Sequence, residues 1–161
     1  MVARISDTVR DMEWVSSRVN AWADKPVDAV LQVPGSPPRI LEVDESQHFN
    51  GYRANTLSHY AGSVPLAFDA RSWSERSVAK PRLEAGGFAR PCPPLFPGPN
   101  GRHRQRAFRD ALSDILPPSH EFAPTLRIGD FEVRSWINTV DAASRMEELL
   151  ATKFVSGCSA D

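Results

Sequence analysis

Apolar residues recur with a helical period in four parts of this chain. Prolines end two of these segments, because proline disfavours helical geometry in the residue before it. The segment that precedes Pro26 is bounded in this way, and so is the one that precedes Pro117-Pro118. We therefore predict four helices. Their ranges are Ile5–Ala23, Tyr52–Ala61, Arg102–Leu116 and Val140–Val155.

Short apolar segments between turn residues predict β-strands. Val27–Val33 and Arg39–Asp44 flank the turn cluster Pro34-Gly35-Ser36-Pro37, which favours a hairpin. Strands mixed with helices predict an α/β fold, with a central mixed sheet flanked by helices. Further strands are predicted at Val64–Phe68, Thr125–Ile128 and Phe131–Val133.

Length and composition indicate one globular domain over residues 1–161. Hydrophobic residues make up 41% and charged residues 24%, which is ordinary for a chain that buries a core. A proline- and glycine-rich segment over about residues 77–101 contains five prolines between positions 91 and 99. Such a segment cannot form a helix, so we interpret it as a loop inserted in the domain.

Charge and cysteine usage exclude several classes of protein. A net charge of -1 argues against a protein coated with positive charge for non-specific nucleic-acid binding. No apolar run is long enough to span a bilayer, and the first ten residues lack a signal-peptide pattern. Cys92 and Cys158 lack metal-ligand spacing, which favours free thiols over a zinc site. We therefore expect a cytoplasmic protein with no membrane partner.

Acidic residues stand at selected positions of the predicted hairpin. Side chains alternate along a strand, so Glu42 and Asp44 share a face, and Asp28 can join them from the first strand. Solvated acids are the simpler interpretation. Three carboxylates on an apolar hairpin, however, are costly unless another charge compensates them, and a divalent cation does so most simply. Carboxylates with a metal are the usual apparatus for phosphodiester hydrolysis.

The same segment resembles a nuclease family. Val27-Asp28, the turn and the run Glu42-Val43-Asp44-Glu45-Ser46-Gln47-His48 are similar to the PD-(D/E)XK superfamily, in its branch of very-short-patch repair endonucleases. Small members of that branch look like V-D, an apolar run, a turn, an apolar run and E-x-D-G-x-x-H. Glu45 stands here in place of the glycine, and Asp44 where the superfamily more often has lysine.

The resemblance implies a restriction-endonuclease-like core and an Mg²⁺- or Mn²⁺-dependent endonuclease that acts on DNA in restriction, repair or defence. It implies that Asp28, Glu42 and Asp44 bind the metal, and that Gln47 and His48 act near the scissile phosphate. A homodimer is a further expectation, because enzymes that cut duplexes often act in pairs. The alternative is a catalytically inactive nucleic-acid-binding or scaffold protein on the same fold.

The resemblance extends to the second half of the chain in two ways that the sequence leaves open. Arg109-Asp110, Leu112 and Leu126-Arg127-Ile128 fit a pattern in which a helix bearing Arg and Asp precedes a strand with an arginine. The alternative alignment uses Arg53, Leu57 and residues 64–68 instead.

Four arginines lie on the predicted helix that contains this Arg-Asp pair. Guanidinium groups suit phosphate oxygens, so contact with the DNA backbone is one interpretation and a solvated helix face is the other. The four predicted nucleic-acid-binding residues are Arg102, Arg104, Arg106 and Arg109.

Overall fold

The fold is built on a three-stranded mixed sheet. A computed structural model describes residues 27–32, 34–60, 62, 64–79 and 89–156. Within these residues the sheet order is β1 (Ala29–Leu31), β2 (Arg39–Asp44) and β3 (Ala123–Gly129), with β1 antiparallel and β3 parallel to β2. The predicted mixed sheet is therefore confirmed, and the second strand of the predicted hairpin is its middle strand.

Five α-helices and two short 3-10 helices surround the sheet in the described part of the chain. None of these helices combines the length and the apolarity that crossing a membrane requires. The 3-10 helices are Ser46–His48 and Pro117–His120, and the α-helices are α1 (Gly51–Leu57), α2 (Ala70–Ala79), α3 (Gly101–Ile115), α4 (Asp130–Val133) and α5 (Ala142–Ser156).

Most predicted elements that fall within the described residues are confirmed. β2 has the predicted bounds, and α1, α3, α5 and β3 lie where periodicity put them. The predicted helix Ile5–Ala23 lies outside the described residues, as do residues 80–88 of the proline-rich segment.

Three predictions about local structure were wrong. Phe131–Val133 is part of helix α4, because the Glu132 carboxylate accepts a hydrogen bond from the Gly129 N–H at 2.8 Å and so caps the helix start. Residues 77–79 belong to α2 rather than to a loop. In the predicted strand 64–68, Ala67 alone pairs, through an isolated parallel bridge with Leu126.

One face of the sheet is apolar and is covered by the C-terminal helices. Leu41 on β2 and Leu126 and Ile128 on β3 share this face, as strand alternation requires. Val43 shares this face by alternation, but it is 39% exposed. The residues of α4, α5 and their connection that pack here are Val133, Trp136, Met146, Leu149, Leu150 and Phe154.

The opposite face of β2 and β3 carries Glu42, Asp44 and Arg127, and helix α3 lies over it. Aromatic side chains pack along one side of this charged face. Trp73 from α2 packs against Phe49 and against Phe131, with ring centroids 6.2 and 5.4 Å apart. A charged face of the sheet is thus shielded from water by apolar side chains.

The described end of the proline-rich segment is ordered against the start of α3. Cys92 and Phe96 exchange backbone hydrogen bonds of 2.7 and 2.9 Å and form a small hairpin. A Cβ atom at Gly101 would lie 2.4 Å from the Cys92 nitrogen and 2.5 Å from the Phe96 oxygen. Only glycine therefore allows the hairpin to approach the first turn of α3 so closely.

We expect Gly101→Ala to lower the free energy of unfolding by about 1–3 kcal/mol, because backbone rather than a flexible side chain must move. Gly51→Ala is the matched control, since Gly51 also begins a helix and nothing lies within 4 Å of its added Cβ. We expect the control to change stability by less than about 0.5 kcal/mol. Urea unfolding followed by circular dichroism measures both, and equal effects of the two variants would contradict the close approach.

Candidate metal centre

The charged face of the sheet centres on Arg127, whose side chain is fully buried. Its Nη1 donates to Asp44 Oδ1 at 2.6 Å, its Nε to Asp114 Oδ1 at 2.7 Å, and its Nη2 to the Asp110 backbone oxygen at 3.0 Å. Burial acts to lower the pKa of Arg127, but the three surrounding aspartates raise it well above its ordinary value. The guanidinium therefore ties β2 and β3 to helix α3.

A second buried arginine, Arg53, pairs with the other carboxylate oxygen of Asp114. Arg53 Nη2 donates to Asp114 Oδ2 at 2.7 Å, and the Tyr60 hydroxyl donates to the same oxygen at 2.6 Å. Burial acts to lower the pKa of Arg53, but Asp114 raises it above its ordinary value. Burial raises the pKa of Tyr60 well above its ordinary value, so the hydroxyl keeps its proton and serves as a donor.

Both oxygens of Asp44 are held at the end of β2. Oδ1 accepts from Arg127, and Oδ2 accepts from the Trp73 indole N–H at 2.6 Å. Asp44 and Trp73 are only 1% and 2% exposed. A carboxylate offers about four acceptor positions, so these two bonds fix its orientation and leave further positions for a ligand.

His48 lies between Asp44 and Asp110. Its Nδ1 is 3.1 and 3.2 Å from the two Asp110 oxygens and 3.4 Å from Asp44 Oδ1. One ligand atom from each of the three residues lies within 4.8 Å of the others, a spacing that could hold a metal ion. Asp44 ends a strand, His48 ends the following 3-10 helix and Asp110 lies on α3, so three elements meet here.

The charges of this cluster do not balance when His48 is neutral. Asp44, Asp110 and Asp114 contribute three negative charges, whereas Arg53 and Arg127 contribute two positive charges. A buried excess charge is unfavourable unless a proton or a cation compensates it. Carboxylate oxygens and imidazole nitrogen are both metal donors, so the residues present fit a bound cation.

The predicted site residues are distributed unevenly around this centre. Asp44 and His48 belong to the three-residue group, whereas Asp28 and Glu42 do not. The exposed Asp28 carboxylate accepts from the Val43 N–H at 2.8 Å, and Glu42 accepts from the Ser113 hydroxyl at 3.5 Å. Metal binding by Asp28 and Glu42 remains a prediction.

The other predicted residues lie around the same region. The Gln47 side-chain amide donates to the Glu45 carboxylate. Arg102 and Arg104 are exposed, and the Arg104 guanidinium lies over the Tyr52 ring at 5.3 Å from its centroid. The remaining two predicted arginines, Arg106 and Arg109, are half-buried. Nucleic-acid contact by these four residues remains a prediction.

Several residues of the centre were missed as site residues. Asp110, Arg127 and Arg53 belong to the two alternative alignments, which assign them no role at a site. Asp114 was not noticed, although it follows Asp110 by one helical turn on the side of α3 that faces the core. Two acids one turn apart on a buried helix face are the signal that could have identified them.

Comparison with models of known protein families, with curated proteins and with solved structures finds no match to this chain. The chemistry of the centre therefore has to follow from its own geometry.

We expect Arg127→Met to destabilise the fold by about 3–5 kcal/mol, because Asp44 and Asp114 would keep buried charges without their shared partner. Arg145→Met is the matched control, since the Arg145 pair with Asp141 is about half exposed on both sides. We expect the control to change stability by less than about 1 kcal/mol. Chemical denaturation measures both variants, and similar losses would show that the buried pairs contribute no more than a surface pair.

The pH dependence of stability tests Asp110. Burial acts to raise its pKa, but the hydrogen bond with His48 and the charge of Arg127 lower it from 3.8 to about 2. A lowered pKa in the folded state stabilises the fold above about pH 4 and loses this contribution as the pH falls towards 2. The contribution amounts to about 2 kcal/mol.

We therefore expect the wild type to lose about 2 kcal/mol more than Asp110→Asn when the pH falls from 4 to 2 in the presence of a chelator. Glu75→Gln, which removes an exposed carboxylate of α2, is expected to follow the wild type. Urea unfolding at each pH provides the measurement. A difference between wild type and Asp110→Asn that stays constant across this range would contradict the paired state of Asp110.

Proposed function

We propose that this protein is a metal-dependent endonuclease that hydrolyses phosphodiester bonds of DNA. The observation that supports it is the Asp44, His48 and Asp110 group, in which two carboxylates and an imidazole converge within 4.8 Å in a cluster whose buried aspartates outnumber its buried arginines by one. The proposal keeps the predicted reaction but builds the metal site from Asp44 and His48 with Asp110, in place of Asp28 and Glu42.

The donor set suggests which ions the site would accept. Carboxylate oxygens suit Mg²⁺ and Mn²⁺, and an imidazole nitrogen favours Mn²⁺ over Mg²⁺. When bound, such an ion polarises a phosphate oxygen and lowers the pKa of an attacking water. A divalent cation would change the cluster from one excess negative to one excess positive charge, which a phosphodiester anion then neutralises.

The protein residues have separate roles in this proposal. Arg127 and Trp73 fix the two oxygens of Asp44 through bonds of 2.6 Å each, so the carboxylate does not have to reorganise when an ion binds. Glu42 shares the strand face of Asp44 and lies beside α3 through Ser113. Glu42 lies outside the three-residue group, so its predicted role at the metal stays a prediction.

A second function, nucleic-acid binding without catalysis, requires no metal in the cluster. Asp44 and Asp114 already pair with Arg127 and Arg53, so both buried carboxylates have cationic partners of their own. In that case the cluster would serve the stability of the fold alone. Metal binding and DNA cleavage by the wild type distinguish the two functions.

We expect the wild type to nick supercoiled plasmid DNA when Mg²⁺ or Mn²⁺ is added, and not in the presence of a chelator. Asp110→Asn and Asp44→Asn should lower the nicking rate by at least about 100-fold, because each removes a charged ligand of the ion. Isothermal titration with Mn²⁺ should find one site in the wild type and a much weaker one in both variants.

Two further variants make this experiment specific. Asp28→Asn should nick DNA like the wild type. If instead Asp28→Asn is inactive and Asp110→Asn is active, the result would favour the metal site predicted from the sequence. Asp141→Asn removes an exposed carboxylate at the start of α5 and is the matched control. The nuclease proposal fails if the folded wild type neither binds Mn²⁺ nor cuts DNA with either metal.

A further inference from the structure

Helix α3 carries a second group of charged residues, next to the side of the helix that contributes Asp110 to the metal centre. Arg102, Arg106 and Arg109 are spaced i, i+4 and i+7, which places them on one side of the helix. Arg104 lies on a different side and stacks on Tyr52. The structure therefore divides the four predicted arginines into a row of three, here called the arginine row, and one residue apart from it.

The three guanidinium groups of the arginine row are close enough to repel each other. Burial lowers the pKa of Arg109, the charge of Arg102 lowers it further, Cys92 acts in the opposite direction, and Arg106 adds to the lowering. Residues 89–109 contain five arginines and neither Asp nor Glu, so this segment itself contributes only positive charge. Such crowding of like charge suits a polyanion.

The small hairpin of Cys92 and Phe96 supports this row. Phe96 packs against Phe108 of α3 with ring centroids 5.8 Å apart, and the Arg102 N–H donates to the Arg90 oxygen at 3.2 Å. The close approach at Gly101 holds the two elements together. The backbone that carries the row is therefore ordered before a ligand binds, which lowers the entropic cost of binding.

The arginine row ends next to the metal centre along helix α3. Arg109 is adjacent to Asp110 along the helix, and Arg106 precedes Asp110 by one turn, about 5 Å. Ser113 continues the row at i+11, and its hydroxyl donates to Glu42 at 3.5 Å. A polyanion bound along the row would thus have one of its charges at the cluster of Asp44, His48 and Asp110.

We propose that Arg102, Arg106 and Arg109 bind successive phosphates of a nucleic-acid backbone and guide that strand into the metal centre. The proposal rests on the proposed function for the role of the neighbouring centre, although binding by the row requires no catalysis. The guanidinium groups of the row, and the Ser113 hydroxyl beyond it, suit phosphate oxygens rather than the edges of bases. DNA and RNA both offer this phosphodiester chemistry.

The test measures binding of fluorescent duplexes by anisotropy over a range of NaCl concentrations, in a chelator so that no strand is cut. DNA and RNA duplexes of one sequence identify the source of the phosphates. We expect the triple variant Arg102→Gln/Arg106→Gln/Arg109→Gln to bind its preferred duplex at least about tenfold more weakly. The slope of log affinity against log salt should fall by about 2 to 3.

The matched control removes three exposed arginines elsewhere, in Arg71→Gln/Arg134→Gln/Arg145→Gln. It lowers the net charge equally, so it should reduce the slope far less if the row is the binding face. Circular dichroism checks folding, and the single variant Arg102→Glu, at an exposed position, replaces the triple variant if that one does not fold. Arg102→Glu is likewise expected to weaken binding at least about tenfold.

Three outcomes would overturn the proposal. Equal losses in the two triple variants would show that net charge alone attracts the polyanion. Unchanged binding in the row variants would exclude the row, even if the wild type cuts DNA and Asp110→Asn does not. Equally tight binding of poly-glutamate, lost in the same variants, would indicate an acidic polypeptide partner instead. Row-dependent duplex binding without any cleavage would support this proposal while the nuclease proposal fails.

Discussion

The arrangement of this protein depends on one fully buried guanidinium. Arg127 lies on a strand whose neighbouring residues are apolar, and it can remain charged there because Asp44 and Asp114 accept its hydrogen bonds and the backbone of Asp110 accepts a third. The three partners belong to β2 and to α3, so satisfying this one group fixes how the helix lies across the sheet. The positions of the Asp44 carboxylate and of the Asp110 backbone follow from that constraint.

The sequence predicts those elements whose burial repeats regularly. The period of apolar residues is visible in the sequences of β2, α3 and α5. These three elements lie at the positions that the period predicts. Helix α2 was missed because it is largely polar, with only Trp73 and Ser77 buried. The strand expected at 131–133 is a helix because the Glu132 carboxylate caps it and Phe131 packs against Phe49 and Trp73. These are tertiary contacts that a three-residue pattern does not contain.

The residues of the candidate site that lie close together in the sequence were predictable. Asp44 ends β2 and His48 follows four residues later, so the pattern of one short segment locates both. A buried carboxylate such as Asp44 needs a compensating charge. The compensating group, however, is an arginine 83 residues further along, which composition and spacing cannot assign to Asp44. Asp110 approaches His48 from 62 residues away for the same reason.

The stabilising role of this cluster is compatible with the proposed metal site. Three aspartates and two arginines leave one negative charge, and His48 lies where that charge is concentrated, between Asp44 and Asp110. In the proposed metal-bound state, a cation held by Asp44, His48 and Asp110 would compensate this charge. The hydrogen bonds from Arg127 and Trp73 already hold both oxygens of Asp44. The proposed metal site would therefore use a carboxylate whose orientation is fixed before any ion binds.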